Sequence, residues 1–204
     1  MLSGLSQRGS LVDVVTTALA GSARTRPVAI RWLREAALAV AGVTLLALSA
    51  RLIIPLPDTP VPVTGQTFAV LLLAAAYGAR RGLAAVMLYI LAGVAGLPVF
   101  AAIPGLASYG YLLGFVPAAI VTGWLAERGW DRTFLRAIIA MLAGEIAIYL
   151  CGLPWLAYFV GWGNVYALGV KYFIVGDTLK MLTAALLLPV AWRGVRAALG
   201  RESR

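Results

Sequence analysis

The chain has no histidine and a single cysteine, Cys151, among its 204 residues. Without histidine it lacks the commonest general base and the commonest metal ligand. One cysteine can form neither an internal disulfide nor a metal-holding cluster. No G-x-x-x-x-G-K-[ST] stretch occurs, so the chain hydrolyses no nucleotide by a P-loop. Nor is there a paired Ser/Lys motif, which weighs against an intramembrane enzyme. Charge is scarce as well: 12% of residues are charged, against about 25% in soluble domains.

What remains is apolar. Hydrophobic residues make up 62% of the chain, well above the roughly 45–50% of soluble proteins. The composition points to an all-α integral membrane protein, and the length suits one domain. The net charge of +9 would suggest nucleic acid in a soluble protein. Here the basic residues fall between apolar runs, so the lipid bilayer is the expected partner and no nucleic acid is.

Six apolar stretches stand out, at 36–54, 65–79, 82–97, 109–126, 134–152 and 167–192. A membrane span needs about 17–25 residues, so the second and third are short. They read as a tight hairpin with Arg80 and Arg81 at its tip. Placing both termini inside puts Arg8, Arg24, Arg26, Arg31 and Arg34 on the cytoplasmic side of the first span. Arg80 and Arg81 join them, then Arg128, Arg132 and Arg136, then Arg193, Arg196, Arg201 and Arg204. That is 14 of the 17 basic residues, leaving Arg51, Lys171 and Lys180. So one-sided a bias predicts six spans with both termini cytoplasmic.

The flanks and loops divide the chain further. The N-terminus is too polar around Leu11–Leu19 for a signal peptide. Ser10 and Asp13 are spaced as a capping pair before an amphipathic segment, expected as a short interfacial helix over 10–20 or as a tail. The expected organisation is therefore a cytoplasmic segment at 1–35, a transmembrane unit at 36–192 and a basic tail at 193–204. Four prolines in PLPDTPVPVT (55–64) preclude helix there. GLPVFAAIPGLASYGY (96–111) and GLPWLAYFVGWGNVY (152–166) mix glycine, proline and aromatics, and are expected as loops covering a cavity.

Charge inside an apolar span is costly and usually marks a functional site. In VGDTLKM, with the last span entering near Lys171, Asp177 lies roughly 9 Å deep and Lys180 roughly 14 Å. At i and i+3 they share a face. Glu145, in the antiparallel fifth span, lies roughly 10 Å from the same side, with Tyr149 one turn on. Two acids and one lysine at one level disfavour a bare anionic group binding deep inside. The alternative for the pair is an ion pair holding helices together. Arg51 ends the first span, where it could snorkel to headgroups or attract an anionic ligand tail; Lys171 reads as snorkelling. Ala37 and Ala41 stand one turn apart in the first span, spacing that lets another helix approach closely, as a partner interface would need.

The segments PLPDTPVPVTGQTFAVLLLAAAYGARRGLAAVMLYILAGVAGLPVFA, YGYLLGF, IYLCGLPWLA and GVKYFIVGDTLKMLTAALL closely resemble the biotin transporter substrate-binding family, BioY, over roughly 36–192. BioY proteins are S components of energy-coupling factor (ECF) transporters. The resemblance implies the six-helix S-component fold and high-affinity biotin binding near the outer face of the cytoplasmic membrane. It implies partners too: a transmembrane T component and two ATPase subunits, with no cofactor. In the family's working scheme the S component topples in the membrane to release substrate inward. Carried over by position, the family's polar biotin contacts fall on Asp177 and Lys180, and its QT pair on Gln66 and Thr67. Phe100, Tyr109, Trp155 and Tyr158 are expected to enclose the apolar ring, with Tyr111, Glu145 and Tyr149 nearby and Arg51 toward the tail. The chain departs from the family at its third outer loop, which is shorter, so that Ser108, Tyr109 or Tyr111 would have to supply contacts. It departs also at Glu145, where members often carry a neutral residue. Another vitamin as ligand, or biotin transport without partners, is the alternative.

Overall fold

The computed structural model describes residues 9–20, 27–56, 58–101 and 105–202. The basic residues Arg8, Arg24, Arg26 and Arg204, and loop residues 102–104, lie outside the described residues. The chain is mostly helical: α1 (Leu11–Ala20), α2 (Val28–Ser49), α3 (Gln66–Tyr77), α4 (Ala79–Val94), α5 (Tyr109–Glu127), α6 (Phe134–Val160), α7 (Trp162–Tyr166) and α8 (Phe173–Glu202). A short antiparallel ribbon pairs β1 (Ile53–Ile54) with β2 (Val63–Thr64), in register Ile53 opposite Thr64 and Ile54 opposite Val63.

Four stretches are helical and apolar for long enough to cross a membrane: Val28–Ser49, Leu106–Glu127, Phe134–Val160 and Phe173–Ala198. Their packing has a membrane protein's polarity. The interior is built largely from small residues such as Ala74, Ala118, Ala119, Ala140 and Ala185, while Leu33, Leu135, Leu150 and Val175 point outward. Water would drive the large side chains inward; hydrocarbon does not, so close approach of small residues governs association. α5 and α6 approach closely, where a Cβ on Gly114 would sit 2.7 Å from the Ile148 carbonyl oxygen, and so do α5 and α4, where a Cβ on Gly123 would sit 2.4 Å from the Ala79 nitrogen. α5 is the hub, packing also on α3 and α4.

The expected tight connection between the two short helices is a single residue. Gly78 has φ +82°, the left-handed region that favours glycine. A side chain there would also collide with Glu127, whose Oε1 accepts the Ala79 amide at 2.9 Å and so caps α4.

Several expected boundaries move. α2 starts at Val28 rather than 36, directly after Pro27, so Arg31 and Arg34 lie within the first long helix. The basic tail is not separate: α8 runs without a break through Glu202. The predicted loop at 152–166 is helical, because α6 carries Pro154 inside it and reaches Val160 before Gly161 (φ +76°) ends it. Leu11–Ala20 form a helix rather than a tail, preceded by Ser10, whose Oγ donates to Asp13 at 2.8 Å and accepts the Asp13 amide at 3.2 Å. That helix packs on α3 and α8, burying Val14. Ala37 and Ala41 are exposed; the close approach on α2 is at Gly42, against Ala85.

Two charged groups of residues pin the bundle. In one, Arg81 donates to Glu35 at 2.6 and 2.9 Å and to Asp13 at 2.7 Å, while Arg34 reaches Glu35 at 2.9 Å and Thr16 at 3.2 Å. In the other, Asp131 in the turn between α5 and α6 is fully buried and accepts the Trp192 indole N–H from α8. Burial pushes the Asp131 carboxyl up to about 6, against the opposing pull of Trp192 and Arg132. The Arg132 guanidinium lies 4.7 Å from the Trp192 ring centroid.

Candidate substrate-binding site

A cavity opens where α8, α6, α5, the start of α3 and the β-ribbon converge. Its wall includes Val61, Pro62, Thr64, Gln66, Thr67, Phe100, Ala101, Ser108, Tyr109, Tyr111, Leu112, Phe115, Glu145, Tyr149, Phe173, Asp177 and Lys180. Nine of the residues expected from the sequence therefore come together: Asp177, Lys180, Gln66, Thr67, Phe100, Tyr109, Tyr111, Glu145 and Tyr149.

The polar floor is built on α8. Lys180 Nζ lies 2.9 Å from Asp177 Oδ1, one helical turn away, and donates to Thr67 Oγ1 at 3.2 Å. The other carboxylate oxygen of Asp177 accepts the Tyr149 hydroxyl at 2.6 Å, from α6. The ion pair therefore forms within one helix rather than between helices, and both of its members line the cavity. Lysine has three N–H donors, and two have these partners. Glu145, 8% exposed, reaches the same level from α6, and its Oε1 has no hydrogen-bond partner among the described residues. The Ser108 hydroxyl likewise has none.

The wall is aromatic. Tyr111 meets Tyr149 edge-on at 6.0 Å and stacks on Phe173 at 6.4 Å, while its hydroxyl donates to Gly169 O at 3.3 Å. Gln66 is locked into a chain. Its Oε1 accepts the Thr64 hydroxyl at 3.1 Å, its Nε2 donates to Tyr89 Oη at 2.7 Å, and Tyr89 donates to Val99 O at 3.1 Å. Tyr89 in turn meets Phe100 edge-on at 5.4 Å. This chain ties the ribbon, the start of α3 and the segment after α4 into one piece. Two further bonds hold the ribbon's loop near α8: Thr59 to Leu168 O at 2.7 Å and Tyr172 to Asp58 at 3.0 Å.

Three expected residues are not in the wall. Tyr158 is 88% exposed, because the helical continuation of α6 turns it outward. Trp155 packs its Cβ against Gly110 and donates to Leu106 O at 2.8 Å. Arg51 is exposed and donates to the Pro98 carbonyl. The aromatic enclosure falls instead to Phe100, Tyr109, Tyr111, Phe115 and Phe173. Phe115 and Phe173 carried no signal in sequence, since an apolar residue in an apolar helix looks the same on either face. Lys171 sits 5.8 Å from the Tyr172 ring centroid, away from the wall.

The arrangement sets a polar floor of Asp177, Lys180, Tyr149 and Thr67 beneath an aromatic wall. It is suited to binding a ligand with a compact polar head, an apolar body and hydrogen-bonding groups of both kinds.

Comparison with known proteins bears on which ligand. The sequence profile described as the BioY family matches residues 16–197. A protein of Rhizobium etli named biotin transporter BioY is 37% identical over 142 residues, covering 63% of this chain and 76% of that one. One from Lysinibacillus sphaericus, named a probable biotin transporter BioY, is 34% identical over 167 residues, covering 76% and 84%. Among solved structures, the S-component for biotin from an ECF-type ABC transporter aligns with TM-score 0.68 over 80% of this chain and 93% of that one. Its sequence is 20% identical, so that likeness speaks for the fold.

Proposed function

We propose a function from one premise: the chain belongs to the BioY family. It binds biotin and mediates its uptake as the S component of an ECF transporter, and is not an enzyme. The observation that carries the binding mode is the polar floor of Asp177, Lys180, Tyr149 and Thr67 beneath an aromatic wall.

Biotin offers a neutral ureido ring, an apolar thiophane and a carboxylate tail. The ureido end suits the floor, where a carboxylate and an ammonium already compensate one another. A bare carboxylate there would add another acid beside Asp177 and Glu145, at a cost that low dielectric magnifies. The thiophane then lies among Phe100, Tyr109, Tyr111, Phe115 and Phe173, and the tail points away from Asp177. Arg51, engaged by Pro98, is not needed for the tail.

The four long apolar helices are completed by α3 and α4 as a short pair, making six spans with both termini cytoplasmic in the cytoplasmic membrane. The arginine distribution supports this orientation. The transport unit lies within 36–192, extended at both ends by the longer α2 and α8; residues 1–35 and 193–204 flank it on the cytoplasmic side. A T component and two ATPases supply the energy, since the chain carries no P-loop. The exposed Ala37/Ala41 stripe of α2 is the face offered to the T component.

Equilibrium binding of labelled biotin to the purified chain tests the reading. Tight binding displaced by unlabelled biotin and by its methyl ester, and lost in Asp177→Asn, is expected. Displacement by a different vitamin but not by biotin would make this an S component for another ligand.

A further inference from the structure

Around the head of the cavity most polar atoms already have partners. Asp177 uses one oxygen for Lys180 and the other for Tyr149; Lys180 uses two of its donors; Gln66 is held by Thr64 and Tyr89. Glu145 differs. It is 8% exposed, it faces the cavity from α6, and its Oε1 accepts nothing from the described residues. An acceptor buried without a donor is costly and rare in folded proteins. In a binding cavity the missing donor is the ligand's to supply.

A cyclic urea has two N–H donors and one carbonyl acceptor. The floor has a spare lone pair on each Asp177 oxygen and a third N–H on Lys180. The two N–H bonds of a cyclic urea diverge on either side of the carbonyl, so the Asp177 carboxylate answers only one of them while Lys180 answers the carbonyl, and the second N–H needs another acceptor. We infer that Glu145 is the specificity-determining residue that accepts this second ureido N–H. The inference rests on the biotin reading above and adds a ligand rule to it. The pocket takes cyclic ureas with both nitrogens free and rejects those substituted at the nitrogen facing Glu145. An anionic substituent there, such as a carboxyl group, is rejected most strongly because it meets a carboxyl head-on.

The test is a cycle between protein and ligand. Biotin and its two mono-N-methyl derivatives, one for each ring nitrogen, are titrated against the wild-type chain, Glu145→Gln and Glu145→Leu. Glu145→Leu, which deletes the acceptor, is expected to weaken biotin by about 30-fold, and Glu145→Gln, which keeps an oxygen, by about threefold or less. Methylation at one nitrogen is expected to cost the wild type at least about 30-fold and Glu145→Leu almost nothing. Should Glu145→Leu not fold, Glu145→Ala removes the acceptor without adding bulk and closes the same cycle. If biotin binds but methylation at each nitrogen costs the same with and without the Glu145 carboxyl, this inference falls and the biotin reading stands. If the wild type binds no biotin, both fall together.

Discussion

Two of the molecule's charged networks, one around Arg81 and one around Asp177, both mix acids with bases but are completed to different degrees. Around Arg81, one guanidinium meets two carboxylates, Glu35 and Asp13, and Arg34 completes the set. Here two arginines answer two acids, and the side chains are 23–38% exposed. Around Asp177, the one ammonium of Lys180 pairs with Asp177, and the neighbouring Glu145 keeps an oxygen without a partner among the described residues, in a more enclosed setting. A network that satisfies itself joins elements, in this case α1, α2 and α4. A network left unsatisfied, at a cavity wall, is waiting for something else. That difference is a better guide to function than the number of charges in either.

Breaking the second network should give the largest effect. Asp177→Ala leaves Lys180 unanswered and removes the acceptor for Tyr149. Biotin affinity is expected to fall by at least about 100-fold, while the thermal midpoint in detergent changes far less than the binding does. Isothermal titration and a melting curve on the same preparation check both halves.

Next in size is Asp131, a buried acid that belongs to neither network. Its carboxyl, pushed up to about 6 by burial, binds its proton more tightly in the folded chain than in the unfolded one. The resulting stability is fully present below about pH 4 and is lost as pH rises through about 6. The amplitude is at most about 3 kcal/mol. Unfolding measured across pH 4–7 should show that fall in the wild type and a flatter profile in Asp131→Asn, with biotin affinity unaffected.

Arg81→Met should do the opposite of Asp177→Ala. It strands Glu35 and Asp13 and is expected to cost about 1–3 kcal/mol of stability, between the exposed and buried limits for ion pairs. Biotin affinity at saturating folded protein should stay within about threefold, since no atom of the cavity wall is touched. High salt should reproduce part of the Arg81→Met loss and little of the Asp177→Ala loss, because the first network is open to counter-ions. The smallest change is Thr67→Val. It removes one neutral acceptor from Lys180 and should weaken biotin by about three- to tenfold.

The two GLP tripeptides show where local reading stops. At Gly96 the expectation of a helix end is met. Gly96, at φ +88°, donates to Gly93 O and Leu97 donates back to Ala92 O, the paired bonds of a glycine-terminated helix. At Gly152 the same three residues continue α6 for two more turns. Gly152 is pressed against the Tyr111 ring, and Gly161 takes over as the terminator. In apolar surroundings a helix is the cheapest way to satisfy the backbone, and proline inside it is tolerated. That one difference moved Trp155 and Tyr158 out of the cavity wall. Arg51 left it for another reason, a carbonyl far away in sequence.

By itself the sequence determined the class of protein, because apolar runs and a one-sided arginine distribution admit few solutions other than a helical membrane bundle. It determined the level of the charges inside the apolar helices as well, since helical rise converts residue number directly into depth, and Asp177, Lys180, Glu145 and Tyr149 do meet at one cavity. Only the tertiary structure decided which aromatics line the cavity and which acids are satisfied. Those outcomes depend on which face of each helix turns inward and on what arrives from distant segments. Hydrophobic patterning cannot reveal the face when both lipid and protein core are apolar.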